Sequence, residues 1–139
     1  MSLNSYLIEG ARPYGEDVQD IRIIGGRIAE IGIGLDPENL GVVRAEGRVA
    51  LPSFVDLHTH LREPGREDAE TIASGSRAAT LGGFSAVFAM ANTAPVADTA
   101  GVVEQVWRLG RETGLVDVFP IGAVSVGLNG QALAELGAM

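Results

Sequence analysis

From residue 53 onward the chain alternates short, nearly all-apolar runs with longer amphipathic ones. That alternation limits the fold more than any other feature. Residues 54–57, 85–89 and 116–124 read as strands. Residues 69–81 and 99–113 read as helices, and residues 131–136 as the start of a third. A strand apolar on both faces needs cover on both, which helices supply in a parallel sheet. On the first helix Ile72 and Ala79 share a face with Ser76, and Gly82-Gly83 is the stop. On the second, Val102, Val103, Val106 and Leu109 form the apolar stripe, with Glu104 and Arg108 paired on the exposed side. Asp98 is the expected N-cap of that helix and Gly114 its end. The pattern predicts three βα units of an α/β fold.

The first 51 residues read differently, as strands and turns. Ile21 and Ile23 lead into Gly25-Gly26, a hairpin signal, and Ile28, Ile31 and Ile33 follow it. Residues 35–41 read as loop, and residues 42–43 and 49–51 as short strands before Pro52. Two segments are expected: a β-rich one over 1–51 and an α/β one over 52–139.

Composition removes several classes of function. The net charge of −8 argues against a nucleic-acid surface, which needs a basic stripe. With no cysteine, a disulfide or a thiolate zinc site is excluded, so any zinc must take His and carboxylate ligands. Residues 78–97 carry no charge, but Gly82, Gly83, Asn92 and Pro95 interrupt them. A helix end followed by a buried strand explains that stretch better than a membrane span. Met1-Ser2-Leu3-Asn4 has neither a basic nor an apolar leader region, so no secretory signal and a cytoplasmic protein are expected.

Both histidines of the chain, His58 and His60, lie in DLHTHLREPG, residues 56–65. If the strand runs through His60, simple alternation puts Asp56, His58 and His60 on one face and Val55, Leu57 and Thr59 on the other. Two imidazoles one pleat apart suit one metal ion, and zinc takes nitrogen ligands readily. They also fall at the C-terminal end of a strand, where parallel α/β folds place their sites. Two ordinary core histidines are the competing reading. Arg62 is either a solvated surface arginine or a fork for a substrate carboxylate beside the metal. Arg66, beyond Pro64-Gly65, reads as surface. Asn92, at the end of the next strand, is either a loop residue capping its own turn or a polar contact to substrate. Glu63, Glu67, Asp68 and Glu70 read as acidic residues favourably placed near a helix N-terminus.

The run LPSFVDLHTHLREPGREDAETIASGSRAATLGGFSAVFAMANTAPVAD, residues 51–98, resembles the dihydroorotase family of the metal-dependent amidohydrolases. Its most specific parts are His-x-His-x-Arg-Glu-Pro-Gly and ETIASG. GRIAEIG resembles the small β domain of that superfamily, and IGAVSVGLNG its third strand region. The resemblance implies a TIM barrel, here its first three βα units and incomplete, preceded by part of a small β-sandwich domain. It implies one or two zinc ions and the interconversion of N-carbamoyl-L-aspartate and L-dihydroorotate in pyrimidine synthesis. By matching positions His58 and His60 are implied as zinc ligands, and Arg62 and Asn92 as carboxylate contacts. Asp56 belongs to the motif as support for the strand end. Ala91 and Ser53 stand where the family often has Pro and Gly, and neither touches an implied contact.

The family closes eight strands, so the resemblance also implies further ligands and a general base beyond residue 139. The chain is accordingly expected to be the N-terminal part of a longer enzyme, and inactive alone. A homodimer or an association with aspartate transcarbamoylase are the partners implied. Other expectations stay open: a relative acting on hydantoins, dihydropyrimidines or allantoin, a non-catalytic scaffold, or an independent small α/β module. Arg62 separates the first of these, because an uncharged ring does not need it.

Overall fold

A computed structural model describes residues 4–139. The expectation of no secretory signal falls mostly on residues 1–3, outside the described residues. The chain divides into two compact units, Met1–Pro52 and Ser53–Met139.

In the first unit Gly25 (φ 57°) and Gly26 (φ 78°) turn β2 (Gln19–Ile24) into β3 (Arg27–Gly32). Two successive left-handed residues match the right-handed twist of the flanking strands. With β1 (Tyr6–Pro13) and β4 (Gly41–Arg44), the sheet order is β3-β2-β1-β4, and β5 (Val49–Ala50) also pairs with β1. The centre is β1, antiparallel to β2 and parallel to β4. Sequence pattern does not reveal β1, because Glu9, Gly10, Arg12 and Pro13 break its alternation. The structure shows why that break is tolerated. The pairing slips between Ile8 and Ala11, where Gly10 takes a φ of 70°. Its N–H donates to Asp20 Oδ1 at 2.8 Å, while Asp20 Oδ2 accepts from Leu35 N at 3.0 Å. Asp20 is 7% exposed, and both its oxygens are satisfied by backbone donors.

The second unit is built as β6 (Phe54–Thr59), α1 (Ile72–Leu81), β7 (Phe84–Ala89), α2 (Ala100–Thr113) and β8 (Asp117–Pro120). The three strands are parallel in the order β6-β7-β8. They form an open sheet and close no barrel among the described residues. Leu61, Ile72, Val87, Ala89, Val106, Val116 and Val118 make one core cluster between the strands and the two helices. Each larger side chain buried there contributes about 1.5–3 kcal/mol. The other face carries Phe88 stacked on Phe119, ring centroids 5.0 Å apart.

Several boundaries move from the sequence expectation. Helix α1 starts at Ile72, where Thr71 and Ser74 form a reciprocal capping box. Asp98 does not cap α2. Thr99 takes that position without a side-chain bond, and Asp98 Oδ2 instead accepts from Gly127 N at 2.7 Å. Arg108 lies closer to Glu112, at 2.8 Å, than to Glu104, at 3.9 Å. The third strand stops at Pro120, and residues 131–136 are not helical. Left-handed Gly127 and Gly130 turn the chain back, so Val126 N donates to Ala132 O at 3.0 Å and Ala134 N to Val124 O at 3.0 Å. This glycine-shaped turn overrides the helix propensity of the following segment.

Helix α2 approaches β8 through Gly110, where a Cβ would lie 2.4 Å from Val118 Cβ. Gly101, on the same helix, has nothing within 4 Å. Gly110→Ala is therefore expected to destabilise the protein by about 1–3 kcal/mol through overpacking. Gly101→Ala should stabilise it by up to about 1 kcal/mol through helix propensity. Denaturant titration of both variants checks the pair.

Candidate metal and carboxylate site at the strand ends

The site begins with the pairing of β6 and β7. Asp56 pairs with Val87 and Thr59 with Ala89, so β6 advances three residues while β7 advances two. Residues paired across a parallel ladder share a face. Val87 and Ala89 are 3% and 5% exposed in the core, so Asp56 and Thr59 take the helix-covered face. The extra residue breaks the simple alternation expected from sequence. It separates Asp56 from the histidines and leaves His58 and His60, the neighbours of Thr59, on the open face. Asp56 Oδ1 accepts from His58 N at 3.0 Å within this irregularity, a side-chain turn that satisfies a backbone donor.

The rings of His58 and His60 lie edge to face with centroids 5.2 Å apart. Two imidazoles on a tetrahedral zinc, with Zn–N of about 2.0–2.1 Å, would place their centroids about 5 Å apart. The spacing and the donor type therefore fit two positions of a zinc site. No group of three or more His, Cys, Asp or Glu side chains suited to a metal occurs among the described residues. A catalytic zinc takes three protein ligands, so two imidazoles would fill only part of such a site.

The second strand contributes Asn92. Met90 N donates to Thr59 O at 2.9 Å, which keeps the two chains side by side past the last strand residues. Asn92 Oδ1 then lies 2.9 Å from His60 Nδ1. Three of the expected residues, His58, His60 and Asn92, are thus in direct sequence of contact.

Arg62 makes no hydrogen bond with them among the described residues, but its loop is braced against that of Asn92. Arg62 has a left-handed backbone (φ 63°), and its carbonyl accepts from Arg66 N at 2.8 Å. Glu63 Oε2 accepts from Ile72 N at 2.7 Å, tying the loop to the start of α1. Ala94 N donates to Pro64 O at 2.9 Å. Gly65 (φ 104°) sits so close that a Cβ there would be 2.2 Å from Ala94 O. The Arg62 side chain is exposed and makes no hydrogen bond or ion pair among the described residues. Arg66 differs, pairing with Asp68 at 3.2 Å, in line with its reading as surface.

The acidic cluster divides its work. Only Glu63 serves the helix start. Glu67 Oε1 accepts from Gly65 N at 2.9 Å, and that backbone donor holds its pKa below the ordinary value. Asp68 is held low by hydrogen bonding and charge attraction from Arg66. The sequence alone shows no individual role for Glu63. Its position nine residues before the helix start carries no local capping signal.

Against known proteins, the family model described as dihydro-orotase-like matches residues 47–139. A curated dihydroorotase from Streptomyces coelicolor is 61% identical over 137 residues, covering 99% of this chain and 32% of that protein. One from Mycobacterium tuberculosis is 58% identical over 137 residues, covering 97% and 32%. The chain thus spans about a third of the length of these relatives. Among solved structures, the L-hydantoinase from Arthrobacter aurescens superposes with a TM-score of 0.72 at 19% identity, over 88% of this chain and 28% of that one. The D-hydantoinase from Thermus sp. gives 0.60 at 26% identity, over 86% and 28%. These two likenesses show the fold, which this chain shares with part of each of those structures. With its strand-end histidines and a family model covering most of its length, the chain belongs to the dihydro-orotase-like family.

Proposed function

We propose that this chain is part of a dihydroorotase, a cyclic amidohydrolase that interconverts N-carbamoyl-L-aspartate and L-dihydroorotate in pyrimidine biosynthesis. The observation that carries the reading is a set of three features: two imidazoles spaced for one metal, Asn92 against one of them, and the Arg62 guanidinium, without a hydrogen bond or ion pair among the described residues, on a loop braced against that of Asn92. A ring amide with a carboxylate substituent needs all three features. Its carboxylate takes a planar fork and an amide donor, and its reacting carbonyl sits at the imidazole pair. On this reading His58 and His60 hold zinc, as two ligands of a site with one or two ions. Bound zinc polarises a carbonyl and acidifies water.

The residues of this chain bind and orient. Arg62 and Asn92 fix the carboxylate, which sets which ring bond faces the histidines. Hydrolysis adds water to the ring carbonyl and breaks its C–N bond, so a proton must move from the water to the departing nitrogen. We assign that proton transfer, and the remaining ligands, to residues outside the third of the relatives' length that this chain spans. The chain alone is then inactive. The same reading assigns residues 1–51 to the β domain and 52–139 to the barrel. It also carries a cytoplasmic location, with a second copy or aspartate transcarbamoylase as partner. No helix of the described residues is long and apolar enough to cross a membrane.

A hydantoinase-type activity is the second reading, favoured by the names of the solved structures that share the fold. Arg62 separates the two. In the full-length protein, Arg62→Met is expected to raise KM for dihydroorotate about 10- to 100-fold, the loss of a charge-assisted hydrogen bond worth about 1.5–3 kcal/mol. Its zinc content should be unchanged. Unchanged KM with zinc lost would mean the roles are misassigned, and turnover of hydantoin in preference to dihydroorotate would favour the second reading.

The loop brace gives a separate expectation. Gly65→Ala would force the loop away from Ala94 at a backbone angle that favours glycine. KM for dihydroorotate should rise by a larger factor than the zinc dissociation constant, because the histidines sit on β6 and its end while the disturbed loop carries the carboxylate contacts. Steady-state kinetics with metal analysis checks this, and equal loss of both would place the brace in the metal site instead.

A further inference from the structure

His60 Nδ1 lies 2.9 Å from Asn92 Oδ1. An amide oxygen only accepts hydrogen bonds, so in this contact the ring donates and the proton is on Nδ1. A neutral imidazole carries one N–H, which leaves the lone pair on Nε2. We infer that Asn92 is a positioning residue for His60: it holds the Nδ1–H tautomer, with Nε2 bare and the ring plane fixed. The inference rests on the reading of His60 as a metal ligand and adds to it the group that prepares that ligand.

The acceptor is well braced for this task. Ala97 N donates to Ala91 O at 3.0 Å, Thr93 Oγ1 to Pro95 O at 2.7 Å and Ala94 N to Pro64 O at 2.9 Å, so the loop around Asn92 is tied both to itself and to the Arg62 loop. The ring of His58 also packs edge to face against that of His60, with centroids 5.2 Å apart. Asn92 Nδ2 makes no hydrogen bond among the described residues, so the amide keeps its donors for a substrate carboxylate while its oxygen serves the ring. One side chain then links the carboxylate contact to the orientation of His60. An acceptor on the second ring nitrogen is what fixes the tautomer and orientation of a ligating histidine and raises its basicity.

The test uses the full-length protein, stripped of metal and labelled with 15N-histidine. Long-range 1H–15N correlation spectra read the tautomer of each ring, and His60 is identified by the signals lost in His60→Gln. The expected result is Nδ1–H for His60 in the unsubstituted protein, a shift toward Nε2–H in Asn92→Ala, and return to Nδ1–H in Asn92→Asp, whose carboxylate also accepts. Zinc dissociation constants from chelator competition should rise about 10- to 100-fold for Asn92→Ala and stay near the unsubstituted value for Asn92→Asp. An Nε2–H ring in the unsubstituted protein would mean the amide nitrogen faces the ring, and would overturn the inference. So would a tautomer unchanged by Asn92→Ala. Full zinc affinity in His60→Gln would instead overturn the ligand reading, and the tautomer spectra keep that failure separate.

Discussion

The parallel pairing of β6 with β7 is the interaction on which the site depends. It places the end of one strand, with His58 and His60, beside the end of the next, with Asn92. The ladder continues past both strands through Met90 N and Thr59 O. The core that holds the pairing is made by the same residues, because Val87 and Ala89 face the helices directly under the ladder. An apolar core on one face thus fixes the register, and the register fixes which polar side chains meet on the other. The added residue between Asp56 and Thr59 is what reconciles the two demands. It lets Thr59 stay with the core while His58 and His60 turn to the open face.

A second constraint acts through loops. The Arg62 side chain makes no hydrogen bond to another site residue among the described residues, yet its loop is held by three hydrogen bonds: from Arg66 N, from Ile72 N to the Glu63 carboxylate, and from Ala94 N to Pro64 O. Gly65 makes the last of these approaches feasible, since a side chain there would occupy the space of the Ala94 carbonyl. The Arg-Glu-Pro-Gly run is therefore a mechanical unit. Arginine supplies the charge, glutamate anchors to the helix, and glycine permits contact with the neighbouring loop. Its residues have different neighbours and would fail in different ways.

Much of the second unit was legible in the sequence because its strands and helices follow periods set by burial. Two helices, the parallel order and the apolar stripe of α2 all come from that periodicity. The misses have local causes. Strand β1 is interrupted by a glycine whose N–H is satisfied by Asp20, a partner ten residues away that no local pattern shows. Asp98 looks like a cap by type and position but is drawn to Gly127, a contact set by the tertiary fold. Residues 131–136 have helical composition but follow a glycine turn that commits them to another path. At the site, the spacing of His58 and His60 was plain, whereas the departure of Asp56 from their face was not. A bulge breaks the period on which such a reading relies. The contact between His60 and Asn92 joins residues 32 apart and needs the strand pairing to be known first.

On the proposed reading His58 and His60 bind one metal ion together at the end of β6. Anomalous diffraction at the zinc edge, from crystals of the full-length protein grown with zinc, tests it most directly. The expected result is a peak about 2 Å from one nitrogen of each ring, with the lone pair of His60 supplied by Nε2. A well-occupied zinc site touching neither imidazole would contradict it.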